Sequence, residues 1–529
     1  MDLTLVLVAF LLFPQATLSS RILIYIPLPF YSHQAAYRPL FRELADRGHH
    51  LTLLTLNPME HHENITQIDL SVVYKILEKE GFYEMLKSGE GIELVLKIVN
   101  VMPLIVDSEL NQPEVRKLFQ DSGHFDLVIT EYYATIGAAF AYKYNCSLIG
   151  IMSMDANQDI HNKVGNPTHP ILYPHFDLGY TGKLNLKQRF MSIAVHFIWQ
   201  FNIYKLNKEL DRVVIKKYFG EDMPPLQELG KRVDMIFINS NPVFHSVRPL
   251  TVRTINVGGG LHIETQPKPL PDDIRTYLDE APQGVIYFSL GSSINSSQLS
   301  PKLKSVLINT LSQLPFRVLW KYENGSQQEI AKNIFTRSWL PQQAVLRHPN
   351  VKLFITQGGL QSLEEALFVG IPVLVMPFFG DQVLNARKVV EFGLGLSLNP
   401  SSLEEAELRS TIMELITTDS YKNSALRLAK QISDQPMSGV EKAAWWTEYV
   451  LRHPDLQLLR CDKSELPLYQ YYFLDIVFVT MLFILIFTCL VKFVIGKLFH
   501  CLSIISGFIV SKTKLVFLFY SVRIKRKVN

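Results

Sequence analysis

Two glycines interrupt the stretch FITQGGLQSLEEALFVGIPVLVMPFFGDQ, residues 354–382. An apolar strand ends at Thr356-Gln357, Gly358 and Gly359 turn the chain, and a helix begins. The free N–H groups of a helix start carry partial positive charge, and glycine lets backbone approach a ligand closely. The arrangement suits a phosphate in principle, although a Gly-Gly pair alone is more often a plain strand-to-helix turn. Upstream lies Trp339-Leu340-Pro341-Gln342. An indole can stack on a flat base, and a nearby glutamine can bond its edge. Downstream, Glu365 sits two helical turns into the helix, where a carboxylate could take a ribose diol. After the next strand, Asp381 and Gln382 could grip sugar hydroxyls. Each residue alone is more often structural. Together they match base, ribose, diphosphate and sugar, the parts of a nucleotide sugar.

Other chemistries have less support. No GK[ST] follows the glycines, and no GxGxxG occurs, which counts against a nicotinamide oxidoreductase on a similar sheet. No Asp-x-Asp occurs, so no required metal is inferred; no cofactor is expected, the nucleotide sugar being a co-substrate. The four cysteines, Cys146, Cys461, Cys489 and Cys501, make no disulfide scaffold or zinc pattern. A formal net charge of +3 over 529 residues gives no sign of nucleic acid.

The elements that must position these residues alternate between apolar strands and helical patterns. ILIYIPL, YRPLFRELADRG and HLTLLTL form a βαβ unit; FDLVIT, ATIGAAFAYKY and SLIGIM follow. The later half repeats the theme with GVIYFSL, RVLWKY, VKLFIT and PVLVMPF. Such strands suit parallel sheets buried on both faces. The Gly- and Pro-rich NVGGGLHIETQPKPLPDDI marks a break. The expectation is two doubly wound α/β domains, 21–250 and 251–455, facing a cleft with the ligand beyond the C-terminal strand ends. Between them GKLNLKQRFMSIAVHFIWQFNIYKLNKELDRVVIKKYFG is long, basic, aromatic and helical in period. It could line a pocket or lie on a membrane; packing on the first domain is the default.

Both ends are apolar, and hydrophobic residues make up 48% of the chain. Residues 1–20 read as a secretory signal peptide despite Asp2 and the lack of a basic residue. Residues 473–495 read as a transmembrane helix, and 496–529 as a basic cytosolic tail. The expected topology is single-pass type I with the bulk of the chain lumenal. The sequons at Asn64, Asn145, Asn295 and Asn324 fit that side. The terminal KRKVN resembles a dilysine retrieval signal, pointing to the endoplasmic reticulum membrane; a plain basic flank reads the same way. Residues 501–522 are apolar again, interrupted by Lys512 and Lys514, and are expected at the interface or, less readily, as a second span.

Residues 339–382 resemble the signature of UDP-glycosyltransferases, with TQGGLQS in the form of insect members, and the likeness covers nearly the whole chain. The resemblance implies a GT-B fold with an acceptor-binding N-terminal domain and a UDP-sugar-binding C-terminal one. It implies that Trp339 stacks on uracil with Gln342 beside it. It places Thr356, Gln357, Gly359 and Gln361 at the diphosphate, Glu365 at the ribose, and Asp381 and Gln382 at the sugar. Ser292, in FSLGSS, would reach the phosphates from the other side. Asn295 follows so closely that glycosylation there would crowd the cleft. Many members have histidine where this chain has Gln357; an amide donates without ever carrying charge.

The catalytic base is expected in the other domain. His33, in PLPFYSHQAAYRPL, lies in the loop after the first strand, at a C-terminal strand end. A lone histidine is usually structural, but this one matches the family's catalytic histidine. Glu131, ending FDLVITE, is its implied partner, where many relatives have aspartate. The implied reaction is direct displacement. His33 takes the acceptor proton, the oxygen attacks the anomeric carbon, and UDP leaves with inversion. Donor and acceptor are expected to be UDP-glucose and a small lipophilic molecule such as a xenobiotic, phenol, pigment or steroid, in a role such as detoxification. A homo-oligomer stays open. A second reading, motivated by Gln357 and Glu131, is a UDP-binding carrier without turnover.

Overall fold

The computed structural model describes residues 19–82, 91–120, 123–133, 135–245, 247–323, 330–454, 456–461 and 466–525. The apolar run of the expected signal peptide, Asn324 and Lys527 lie outside the described residues. The chain divides into two units after Cys461.

The first unit holds two parallel sheets. One contains β1 (Arg21–Ile26), β2 (His50–Thr55), β3 (Ile65–Asp69), β4 (Leu127–Glu131), β5 (Ser147–Met152), β6 (Met235–Ile238) and β7 (Thr254–Asn256), in the order 3-2-1-4-5-6-7. The other contains β8 (Val285–Ser289), β9 (Arg317–Lys321), β10 (Ile334–Arg337), β11 (Val351–Thr356), β12 (Val373–Val375) and β13 (Gly395–Ser397), in the order 10-9-8-11-12-13. Every pairing is parallel, with Ile24 opposite both Leu53 and Ile129, and Phe354 opposite both Tyr287 and Val373. Each sheet has an apolar core on either face. That is why β1, β4, β5 and β8 read as continuous apolar runs rather than alternating ones.

Strand order reverses beside β1 in the first sheet and beside β8 in the second. At such switch points the connections diverge to opposite faces and leave a crevice beyond the C-terminal strand ends. The segments after β1 and β4 in one sheet, and after β8 and β11 in the other, therefore line the two crevices. In the first case His33 follows β1 and Glu131 is the last residue of β4; in the second, the segments carry Ser292 and Gln357 to Gly359.

Several expectations need correction. His33 is not in a loop: it lies in the first turn of the helix Tyr31–Asp46, which starts sooner after β1. The first sheet does not stop at residue 250, because β7 pairs with the open edge of β6. The helix Gly439–Arg452 also returns to that side, burying Ala443, Ala444 and Val450 in a core with Ile24 and Ile129. The long basic segment forms the helix Leu186–Leu210. Val195, Trp199, Ile203, Leu206 and Leu210 are buried on its inner side, while Phe190, Phe197 and Phe201 are exposed.

In the second unit, the expected span at 473–495 and the expected tail as far as Lys525 belong to one element. A single helix, Leu474–Lys525, runs for 52 residues, or about 78 Å at 1.5 Å per residue. It contains no proline, and Gly496 and Gly507 are isolated, so nothing in the sequence ends it near residue 495. Its length and composition suffice to cross a membrane.

Candidate functional site

At the first switch point, His33 Nδ1 lies 2.7 Å from Glu131 Oε1. The helix Tyr31–Asp46 brings the imidazole over the end of β4, where Glu131 is fully buried. A carboxylate accepts only, so Nδ1–H donates to Glu131, and the Nε2 lone pair is left as the proton acceptor. The His33 side chain keeps 21% of its surface exposed, which leaves that nitrogen reachable. Tyr37 donates to the same Oε1 at 3.0 Å. Burial, and next the Glu131 charge, hold the Tyr37 phenol well above its ordinary range, so it stays a donor. Ser153 Oγ, just past β5, lies 3.2 Å from His33 Nδ1. Neither Tyr37 nor Ser153 stood out in the sequence. Tyr37 is four residues after His33 on one helical face, and Ser153 follows a strand end; both signals were there to be used.

At the second switch point, Gly359 caps the helix Leu360–Val369 with no side-chain hydrogen bond, leaving the helix-start N–H groups for a ligand. Gly358 has φ +87°, a conformation that favours glycine. Thr356 is buried; its hydroxyl donates to Gln357 Oε1 at 3.0 Å and accepts from Gly358 N at 3.3 Å. The Gln357 amide fills a notch over Gly291, where an added Cβ would lie 2.2 Å from Gln357 Nε2. Gly291 has φ +69° as well, and this close approach is what the glycine of FSLGSS permits. Ser292, next to it, is exposed.

The remaining expected donor-site residues are held by the protein itself. Gln342 is not free to read a base edge: its Oε1 accepts from Tyr287, and its Nε2 donates to Ser362 at 3.1 Å and to Glu365 at 2.7 Å. It therefore orients the carboxylate expected at the ribose. Burial pushes that carboxyl, Glu365, up to about 7. Trp339 is 57% exposed and meets Tyr31, from beside the first switch point, edge to face at 5.4 Å. Gln361 reaches across to the Ser153 carbonyl at 3.4 Å. Gln382 spends its Oε1 on Phe378 N and Phe379 N, fixing the turn before its own helix. Asp381 accepts from Asn385 Nδ2 at 2.7 Å, and the same amide holds the Gly358 carbonyl at 2.9 Å. Burial raises Asp381 to about 6, against a lowering pull from Asn385 and from His33 across the cleft. The Gln361–Ser153 bond and the Trp339–Tyr31 contact bring the two switch points to one place. Among the described residues no cluster of acidic, histidine or cysteine side chains could hold a metal ion.

Comparison with known proteins places the chain. The family model described as UDP-glucoronosyl and UDP-glucosyl transferase matches residues 22–514. The chain belongs to that family. It is an inverting enzyme of GT-B type that uses a UDP-sugar. UDP-glucosyltransferase 2 of Dactylopius coccus is 28% identical over 502 residues, covering 94% of this chain and 96% of the relative. An ecdysteroid UDP-glucosyltransferase of Spodoptera littoralis nuclear polyhedrosis virus is 29% identical over 467 residues, covering 82% and 88%. Among solved structures, a Polygonum tinctorium UDP-glucosyltransferase capable of glucosylating indoxyl aligns at a TM-score of 0.55 and 16% identity, over 82% of this chain and 98% of that one. The calicheamicin glycosyltransferase CalG4 gives 0.51 and 18%, over 83% and 100%. This UDP-glycosyltransferase thus has the expected two-sheet fold and one long apolar C-terminal helix.

Proposed function

We propose that this enzyme moves glucose from UDP-glucose to a hydroxyl of a small lipophilic acceptor, with His33 as general base. The observation that carries the assignment is the His33–Glu131 pair at 2.7 Å, with one partner fully buried and the other open to the cleft. His33 Nε2 takes the acceptor proton as the oxygen attacks the anomeric carbon. Glu131 holds the tautomer and offsets the imidazolium charge. The glycosidic bond forms as the bond to the diphosphate breaks, and the negative charge leaving on UDP meets the open helix start after Gly359. Attack from the face opposite UDP converts an α-linked donor into a β-glycoside.

On the donor side, Trp339 covers the uracil and Glu365, steered by Gln342, takes the ribose. Thr356, Gln357, Gly359, Gln361 and Ser292 surround the diphosphate; Asp381 and Gln382 hold the sugar. The first sheet's half takes the acceptor, and the second sheet's half takes the donor. Relatives named as glucosyltransferases support glucose as the sugar. The apolar helix Leu474–Lys525 supports a membrane anchor. With the apolar N-terminal run and the basic C-terminal residues, it supports a type I protein of the endoplasmic reticulum membrane with lumenal catalytic halves.

The test is to incubate the membrane-expressed protein with UDP-glucose, UDP-glucuronate and other UDP-sugars against phenols and steroids. UDP release and the anomeric configuration of the product by NMR are then recorded. Highest turnover with UDP-glucose and a β-glycoside are expected. An α-glycoside, or a clear preference for another UDP-sugar, would contradict the proposal.

A further inference from the structure

A cavity of about 300 Å³ opens between the segment after β5 and the helix Gln382–Glu391, with Asp381 and Lys388 both in its wall. That volume is at the small end of ordinary ligand sites. Met154, Leu172, Tyr173 and Phe392 give it apolar and aromatic surface.

Its charges are unevenly matched. Asp155 is paired with Arg248 Nη2 at 3.5 Å and with His161 Nε2 at 3.2 Å. The Arg248 guanidinium also stacks on Tyr173, 4.4 Å from the ring centroid. Asp381 is taken up by Asn385. Glu391, on the last turn of the helix, is exposed. His245 is held neutral, its burial pulling it down to about 3. Lys388 is different. It is only 7% exposed and lines the cavity, yet it makes no hydrogen bond or ion pair among the described residues. Its ammonium lies over the Phe244 ring, 5.7 Å from the ring centroid. Burial lowers its amine to about 8, with Asp155 and Glu391 pulling upward and Arg248 downward, so it is a cation at neutral pH. An ammonium so little exposed, with no anion bonded to it, is costly to hold, and an anion entering the cavity would relieve that cost; Arg248 Nε and Nη1, buried without hydrogen bonds among the described residues, would share it.

We propose that the cavity is an acceptor subsite for a hydroxy acid, with Lys388 binding the carboxylate while the hydroxyl lies at His33. This rests on the glycosyl-transfer reading above, narrows its acceptor class and extends the acceptor site from the first sheet's half onto the helix Gln382–Glu391 of the second. Asp381, whose carboxyl feels His33 across the cleft, caps the helix that carries Lys388 seven residues on, a backbone rise of about 10 Å. An acceptor with its hydroxyl and carboxylate on the order of 10 Å apart is of the size to span that wall. An aryl acid with a short unsaturated side chain meets the requirement; its apolar middle would lie on Tyr173 and Phe392.

The test uses the full chain in detergent with UDP-glucose, and 4-hydroxycinnamate against its methyl ester. The wild type should favour the acid in kcat/KM, and Lys388→Met should lower the acid-to-ester ratio about tenfold, while Lys388→Arg restores most of it. An unchanged ratio in Lys388→Met, or an ester preference in the wild type, overturns the proposal. Equilibrium binding of the same pair to the UDP-loaded protein separates the two claims. Acid binding that depends on Lys388, in a protein that transfers glucose to no acceptor, would sink the transfer reading and keep the anion site. Equal binding of acid and ester would sink the anion site, whatever the turnover.

Discussion

The two switch points face each other but are built differently. The one after β1 and β4 is bonded into one set: His33, Glu131, Tyr37 and Ser153 meet at 2.7 to 3.2 Å, with Glu131 Oε2 the one carboxylate oxygen left buried without a hydrogen bond among the described residues. The one after β8 and β11 is left open. Its helix start is uncapped by any side chain, Trp339 is more than half exposed, and burial holds two carboxyls, Glu365 and Asp381, above their ordinary range. Proton transfer needs a fixed tautomer and a fixed direction, so the base is assembled before substrate arrives. Donor binding needs unsatisfied donors and a free aromatic face, which the ligand itself must complete. The lesson is that a preassembled polar set marks the chemical step here, while the binding step joins an open helix start and a free aromatic face to side chains the protein already holds in place.

The largest expected effect breaks the first region. His33→Ala should lower kcat by about 10²–10⁴-fold, read as UDP release at saturating substrates. Glu131→Gln should cost nearly as much, because an amide can donate to Nδ1 and stabilise the wrong tautomer. Glu131→Asp, keeping the charge on a shorter arm, should lose less. Equal losses for the two Glu131 variants would mean that reach matters more than charge.

The next effect belongs to the second region and should appear in KM. Asp381→Asn is expected to raise KM for the UDP-sugar about tenfold with a smaller change in kcat. Because Asp381 is raised to about 6, wild-type donor KM should climb as pH falls through that value, and the variant should lose this dependence. Smaller still is Gly291→Ala. Its Cβ would overlap the Gln357 amide at a positive φ, so a several-fold rise in donor KM is expected, from about 1–3 kcal/mol of strain.

The smallest is a stability effect. Glu365 is raised to about 7 from its ordinary 4.5. A carboxyl whose folded value is raised stabilises fully below its unfolded value, and that contribution is lost as pH rises through the folded one. The wild-type Tm should therefore fall as pH rises from about 4.5 to about 7 in the absence of ligand, and Glu365→Gln should flatten that slope. A parallel slope in both proteins would assign it to other groups.

Much of this was legible in the sequence. The alternation of apolar runs and helices gave two parallel sheets, because strands buried on both faces cannot hide their composition. The turn at Gly358 and Gly359 stood out because backbone conformation restricts residue choice there. What escaped was set by partners distant in the chain. Gln342 has the right type and place, but its amide is captured by Tyr287 and Glu365. Ser153 meets His33 across 120 residues. Residues 254–256 and 439–452 return to the first sheet because an edge strand and an apolar face were open to them, which local pattern cannot reveal. The C-terminal helix runs on past residue 495 because Lys497, Lys512 and Lys514 are charged but are good helix formers.

The division of labour between the two regions is tested most directly by titrating UDP into His33→Ala and into the wild type by calorimetry. The account predicts a Kd within about twofold of wild type in a variant whose turnover has collapsed. A Kd that weakens in step with kcat would show that His33 holds the donor or the cleft, and would contradict its assignment as the base.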